Sequence, residues 1–273
     1  MEKLPLPSKI EFKKGENANQ GVITIEPCYP GYGTTLGNAI RRVLLSSLSG
    51  AAVTAYKVKG IQHEFTTLDG VMEDGVELSL NLKELRLKIF TDEEVRLRLK
   101  AKGEKKVKAG DIDKNSDVEI INTDLVIATL TDKNAELDIE IFVKNGRGYI
   151  TIEEKEKESL ETGTILIDSL FSPVKNVGLK VENIRAREMT NFDKLILEVE
   201  TDGTITPKEA MEQAVAILLD HFNLLVGVEE GKTEKKAKKE DEKEEKEETE
   251  KKKATKKEKK EDKREEEKKS KKK

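Results

Sequence analysis

The chain has 273 residues, 39% of them charged and 35% apolar, with one cysteine, two histidines and no tryptophan; 36 of the 42 positions in 232–273 are Lys, Arg, Asp or Glu. That segment cannot bury a core and reads as a disordered Lys/Glu-rich tail, leaving a body of net charge −10 that is a poor candidate for direct DNA binding, which rests on neutralising phosphates with Lys and Arg. Cys28, His63 and His221 can supply neither an internal disulfide nor a four-ligand zinc site, and no apolar leader or 18-residue apolar run is visible, so the chain reads as cytoplasmic, metal-free and without a membrane span.

In chain order, alternation of apolar and polar residues predicts strands over 22–26, 53–58, 76–82, 85–90, 95–100, 125–130, 135–144, 174–182 and 194–200, the last ending at the turn Asp202-Gly203. Two segments depart from that period. After Gly31-Tyr32-Gly33, with Thr34 or Thr35 as N-cap, Leu36, Ala39, Ile40, Val43, Leu44 and Leu48 recur at helical spacing up to Ser49-Gly50. Near the other end, Thr206-Pro207-Lys208-Glu209 is a capping box with Pro at the first helical position, followed by Ala210, Ala214, Ile217, Leu218, His221, Phe222 and Leu225 before Gly227. Leu45 in the first helix, and Val215, Leu219 and Leu224 in the second, widen the apolar stripe beyond what a one-sided helix buries.

An apolar helix near each end with strands between them implies an α+β fold. Residues 1–50 and 176–231 form a discontinuous α/β domain, 51–175 an inserted β-rich domain, and 232–273 the disordered charged tail. Two helices cannot close a bundle, so packing against a twofold copy is the economical way to cover the excess apolar surface. The expected dimerisation residues are Leu36, Ile40, Val43 and Leu44 in the first helix and Ile217, Leu218, His221 and Phe222 in the second.

Gly31-x-Gly33-x-x-x-Gly37 sits between a strand and a helix, where a dinucleotide loop would be, but its spacing departs from G-x-G-x-x-G and no acidic residue ends a second strand about 20 residues on. A turn needing positive φ and a close helix contact at Gly37 is the simpler reading. Asp111-Ile-Asp113-Lys-Asn115-Ser-Asp117 imitates a calcium loop but has Ser116 where glycine is required and Asn122 where the bidentate glutamate belongs, which leaves a solvated loop. His63 and His221 lack a nucleophile in any recognisable motif and read as packing or hydrogen-bonding residues. Arg41-Arg42 places two cations about 100° apart on an apolar helix, and at least one is expected to meet a partner surface. Gly146-Arg147-Gly148-Tyr149 reads as a hairpin turn with Tyr149 opening the next strand.

Gly31-Tyr-Gly-Thr-Thr-Leu-Gly-Asn-Ala-Ile-Arg41-Arg42-Val-Leu-Leu-Ser-Ser47 resembles the signature near the start of the bacterial RNA polymerase alpha subunit family. Further family-like stretches follow in order: His63-Glu64-Phe65 with Gly70-Val-Met-Glu73-Asp74, Asn81-Leu-Lys83, Asp117-Val-Glu-Ile120, Gly146 to Tyr149, Ser172-Pro-Val174, Val181-Glu182, Asp193-Lys-Leu195 and Thr201-Asp-Gly-Thr204. The resemblance covers about residues 1–230. It implies a homodimer that serves as the platform for the beta and beta-prime subunits, with omega in the complete complex and DNA reached only through the complex. By resemblance, Arg42 and Leu45 would engage beta, with His63, Glu64, Glu73 and Asp74 nearby, and Lys83, Ile167 and Asp168 match positions linked to large-subunit contacts. No cofactor is implied in this chain; magnesium belongs with the catalytic subunits, since an aspartate-rich metal site is not seen here. Where family members commonly continue into a small helical DNA-contacting domain, the Lys/Glu tail stands instead.

Overall fold

The structure is a computed structural model that describes residues 4–15, 17–91, 93–155, 161–186 and 189–226; the tail and Gly227 lie outside the described residues. In chain order it comprises β1 (Lys9–Lys14), β2 (Gln20–Cys28), α1 (Tyr32–Ser46), β3 (Ser49–Val58), α2 (Gly75–Lys83), β4 (Leu87–Ile89), β5 (Val95–Lys102), β6 (Lys105–Lys108), β7 (Val118–Ile120), β8 (Val126–Leu130), β9 (Glu136–Arg147), β10 (Tyr149–Ile150), α3 (Ile152–Lys155), β11 (Ile165–Leu166), β12 (Ser169–Leu170), β13 (Val174–Ala186), β14 (Met189–Thr201) and α4 (Pro207–Val226). The chain divides into compact units Met1–Leu218 and Leu219–Lys273, the boundary falling inside α4.

Two sheets organise the first unit. An antiparallel sheet in the order β1-β2-β14-β13 is assembled from both ends of the sequence, and a second runs β5-β9-β3-β4-β7 with β11 also paired to β3. Each has its own apolar cluster. Ile23 and Ile25 of β2, Leu195, Leu197 and Val199 of β14, Ile40 and Leu44 of α1, and Ala210, Met211 and Ala214 of α4 share one core. Tyr56, Leu78, Leu82, Leu99, Ile127, Ile139, Ile141 and Ile167 belong to the other. Period-two alternation explains the long strands directly: in β5, Leu97, Leu99 and Ala101 point inward while Arg98, Lys100 and Lys102 point out.

The start signal holds at α4. Thr206 Oγ1 accepts from the Glu209 amide at 3.2 Å, and the Glu209 carboxylate accepts from the Thr206 amide at 2.9 Å, closing the box. β14 stops at Thr201, and Gly203 takes φ 98° in the turn that follows.

Four expectations are corrected. Residues 76–82 are helical, within α2, where Gly75, Leu78, Ser79 and Leu82 form the buried i, i+3, i+4, i+7 face. The alternation of Val76, Leu78, Leu80 and Leu82 arises because Val76 and Leu80 are exposed apolar residues and Ser79 is a buried polar one. Ser79 can be buried because its hydroxyl donates to the Gly75 carbonyl and lies 2.9 Å from the Tyr56 hydroxyl. Second, α1 begins at Tyr32 with Gly31 as cap, φ 83°, earlier than Thr34 or Thr35, and ends at Ser46, before Ser49 and Gly50 open β3. Third, Gly146 to Tyr149 is not a hairpin: β9 continues to Arg147, paired with β3, and β10 leaves to pair with β12. Gly146 is small because the Phe171 ring lies against it, and Gly148 turns the chain at φ 68°. Fourth, β1, β6, β7, β11, β12 and α3 were not anticipated, while the strand expected to open at Tyr149 is the two-residue β10; most are too short to establish a period.

Candidate functional site

The glycine-rich turn before α1 closes on the protein itself. The Gly31 and Gly33 amides donate to the same Asp193 carboxylate oxygen, at 2.9 and 3.1 Å, and Asp193, on β14, is buried. Where a nucleotide loop would offer such amides to a phosphate, a carboxylate of the chain already fills that position. A Cβ at Gly33 would come within 2.8 Å of the Asp193 Cβ, and one at Gly37 would run into Leu179 and Leu195. These glycines seat α1 on β13 and β14, and neither the Gly31 nor the Gly33 amide is left for a phosphate.

α1 has two apolar faces. Gly33, Gly37, Ile40 and Leu44 are buried in the core beneath it. Ile40 and Leu44, expected at a dimer contact, are thereby corrected to core residues of a single chain, Leu44 with no exposure at all. The other face carries Tyr32 and Leu36, both exposed, then the half-buried Ala39 and Val43. Tyr32 was missed by sequence reasoning, although the 32, 36, 39, 43 spacing carried the signal. Arg41, Arg42 and Leu45 are all exposed, so within one chain both guanidinium groups reach solvent. Among the α4 positions, Ile217 and Leu218 pack partly against the core of the first unit, while His221 and Phe222 lie in the second unit and are exposed.

A second surface surrounds α2. Exposed His63 is hydrogen-bonded to the Thr66 hydroxyl, 3.0 Å from Nδ1, and Glu64 is half-buried with its carbonyl against Gly75. Glu73 accepts the Thr129 amide at 2.6 Å, and Asp74 is the N-cap of α2, accepting the Glu77 amide at 2.8 Å. Both carboxylates are thus committed to backbone amides and shape the surface from within. Phe65, Met72, Val76 and Leu80 are the exposed apolar residues of this region. The sequence hid them because exposure is not written in residue type.

At the end of α2, the Lys83 ammonium donates to the Asp168 carboxylate at 3.0 Å. The other Asp168 oxygen accepts the Ile152 amide, also at 3.0 Å. Lys83, foremost, and then Ile152 hold the Asp168 carboxyl below its ordinary value near 3.8, against the opposing effect of burial. The Tyr149 phenol is pushed up by desolvation first and then by the Asp168 charge. Ile167, expected beside Asp168 on the surface, is 2% exposed and belongs to the core, because β11 to β12 places alternate side chains on opposite faces.

Cys28 is buried with its Sγ against the Ile25 carbonyl, and burial raises its pKa. Among the described residues, no group of three or more His, Cys, Asp or Glu side chains could hold a metal ion, and no helix is long and apolar enough to cross a membrane.

Comparison with known proteins gives the chain's family. The model of the RNA polymerase Rpb3/RpoA insert domain matches residues 56–172. The DNA-directed RNA polymerase subunit alpha of Symbiobacterium thermophilum is 48% identical over 219 residues, covering 80% of this chain and 69% of the relative. That of Aquifex aeolicus is 47% identical over 223 residues, covering 81% and 70%.

Proposed function

The chain belongs to the family of DNA-directed RNA polymerase alpha subunits, and on that premise we propose that it acts as a homodimeric platform on which the beta and beta-prime subunits assemble. It is a non-catalytic subunit of a nucleotidyltransferase. Residues 1–50 and 176–231 form the dimerisation domain in this reading, and 51–175 the insert that meets large subunits. The observation that carries it is the second apolar face of α1: after the buried face has been used, Tyr32 and Leu36 stay exposed, with half-buried Ala39 beside them and Val43 only partly packed against the core. A folded subunit keeps such a stripe for another surface, and a twofold copy presents the same stripe in return.

Arg42 and Leu45, exposed on the same helix, are proposed to contact beta, and Lys83 with Asp168 to contact a large subunit. Omega joins in the complete complex, DNA is reached through the complex, and the protein works in the cytoplasm at the nucleoid. Magnesium chemistry is assigned to the other subunits.

Sedimentation and co-purification of the full chain with beta test this. The wild type should be a dimer at micromolar concentration, Leu36→Glu should be a monomer, and Arg42→Ala should remain a dimer while losing beta. A wild type that stays monomeric overturns the platform reading; Arg42→Ala that retains beta removes the role given to Arg42.

A further inference from the structure

Lys155, the last residue of α3, is buried, with 8% of its surface exposed. An ammonium in a protein interior is costly unless its donors meet acceptors. Here Nζ donates to the Thr54 carbonyl at 3.3 Å, to the Ser169 hydroxyl at 2.5 Å and to the Ile167 carbonyl. Ser169, itself buried, donates its own hydroxyl hydrogen bond to the Val53 carbonyl at 2.5 Å. Val53 and Thr54 sit where the β3–β9 register shifts, between Val53 and Ala55, so these carbonyls fall at an irregularity of the ladder. The Thr54 carbonyl also accepts the Ile167 amide, at 3.1 Å.

Two of the ammonium's partners, Ile167 and Ser169, flank Asp168. At the other end of the same short helix, Ile152 donates its amide to the Asp168 carboxylate. α3 therefore grips the residues before and after Asp168 from beneath and one of its carboxylate oxygens from the side. The remaining oxygen is left aimed at Lys83.

We infer that Lys155 is a positioning residue, which holds the Ile167 carbonyl and the Ser169 hydroxyl on either side of Asp168 so that its carboxylate keeps Lys83 in a single pose for a large subunit. The role as a subunit contact rests on the function proposed above; the positioning of Asp168 does not. Lys155 meets neither large subunit in this reading and acts entirely through Asp168.

The test uses the full chain with carbon-13 carboxyl-labelled aspartate, following the titration of Asp168 by NMR, with Asp138, held by Arg98 on β5, as internal control. Lys155→Met should raise the Asp168 midpoint toward the ordinary aspartate value, leave Asp138 unmoved, and weaken capture of the beta and beta-prime subunits by about tenfold. Lys155→Arg should restore both. A folded Lys155→Met protein whose Asp168 titration is unchanged overturns the inference. If that variant does not fold, Ser169→Ala, which removes one acceptor, must move Asp168 in the same direction; no movement is equally fatal. Asp168→Asn and Lys83→Ala separate the two readings. Loss of capture in those variants, with capture retained in Lys155→Met, refutes the coupling alone. Intact capture in them, with a shifted Asp168 titration in Lys155→Met, refutes the contact reading and keeps the positioning role.

Discussion

Asp193 shows how one side chain sets the direction of a helix 160 residues away. Its carboxylate answers two amides at the start of α1, doing the work expected of Thr34 or Thr35. Hydrogen bonds to a charged group contribute about 1.5–3 kcal/mol each, so Asp193→Ala should lower stability by about 3 kcal/mol, read as a shift of the denaturant midpoint at unchanged slope. Asp168 gives a pH dependence. Its folded pKa is depressed by Lys83, so its contribution is present above the ordinary value near 3.8 and is lost as pH falls through the lower folded value. The stability gap between wild type and Asp168→Asn, followed by denaturant unfolding, should be constant above about pH 5 and close progressively on further acidification. A gap that widens in acid would contradict the ion pair. The glycines at 31, 33 and 37 were legible as a turn and a close contact, but their partner was not, since Asp193 is adjacent only in space.

At the scale of elements, legibility followed length and regularity. α4 was readable from its capping box, and β9 and β13 from long alternation. α2 was misread because its buried face includes a serine and its exposed face two apolar residues. The Asp74-x-x-Glu77 spacing was a start signal that periodicity outweighed. The burial of Ser79 depends on Tyr56, whose hydroxyl lies 2.9 Å from the Ser79 oxygen and 2.7 Å from the Gly75 carbonyl and shares its one proton between them. Tyr56→Phe should therefore cost about 1–2 kcal/mol in denaturant unfolding, because Ser79 loses a buried partner while the ring remains packed. A neutral result would mean that the Ser79 to Gly75 bond suffices. Gly50 illustrates a tighter constraint: a Cβ there would run into the Phe171 carbonyl, which is backbone and cannot swing aside.

At the scale of the whole molecule, burial decides which apolar residues remain for partners. The two wide helical stripes correctly signalled more apolar surface than one sheet can cover, yet half of the expected α1 contacts, Ile40 and Leu44, are consumed by the chain's own core. If the remaining face of α1 pairs with a copy, folding and association are linked, and the melting temperature should rise with protein concentration. Leu36→Glu should abolish that dependence in a thermal melt series; a concentration-independent wild type would count against dimerisation.

The sequence by itself determined the class of the long, regular elements other than α2, the acidic body, the two-ended apolar helices and the family, because composition, periodicity and ordered motifs are local properties of the chain. Only the tertiary structure decided which face of α1 is spent on the core, that Asp193 occupies the glycine turn, and that Lys155 and Ile152 bracket Asp168. Those outcomes depend on contacts between residues distant in sequence, which packing and hydrogen-bond satisfaction select and no single segment encodes.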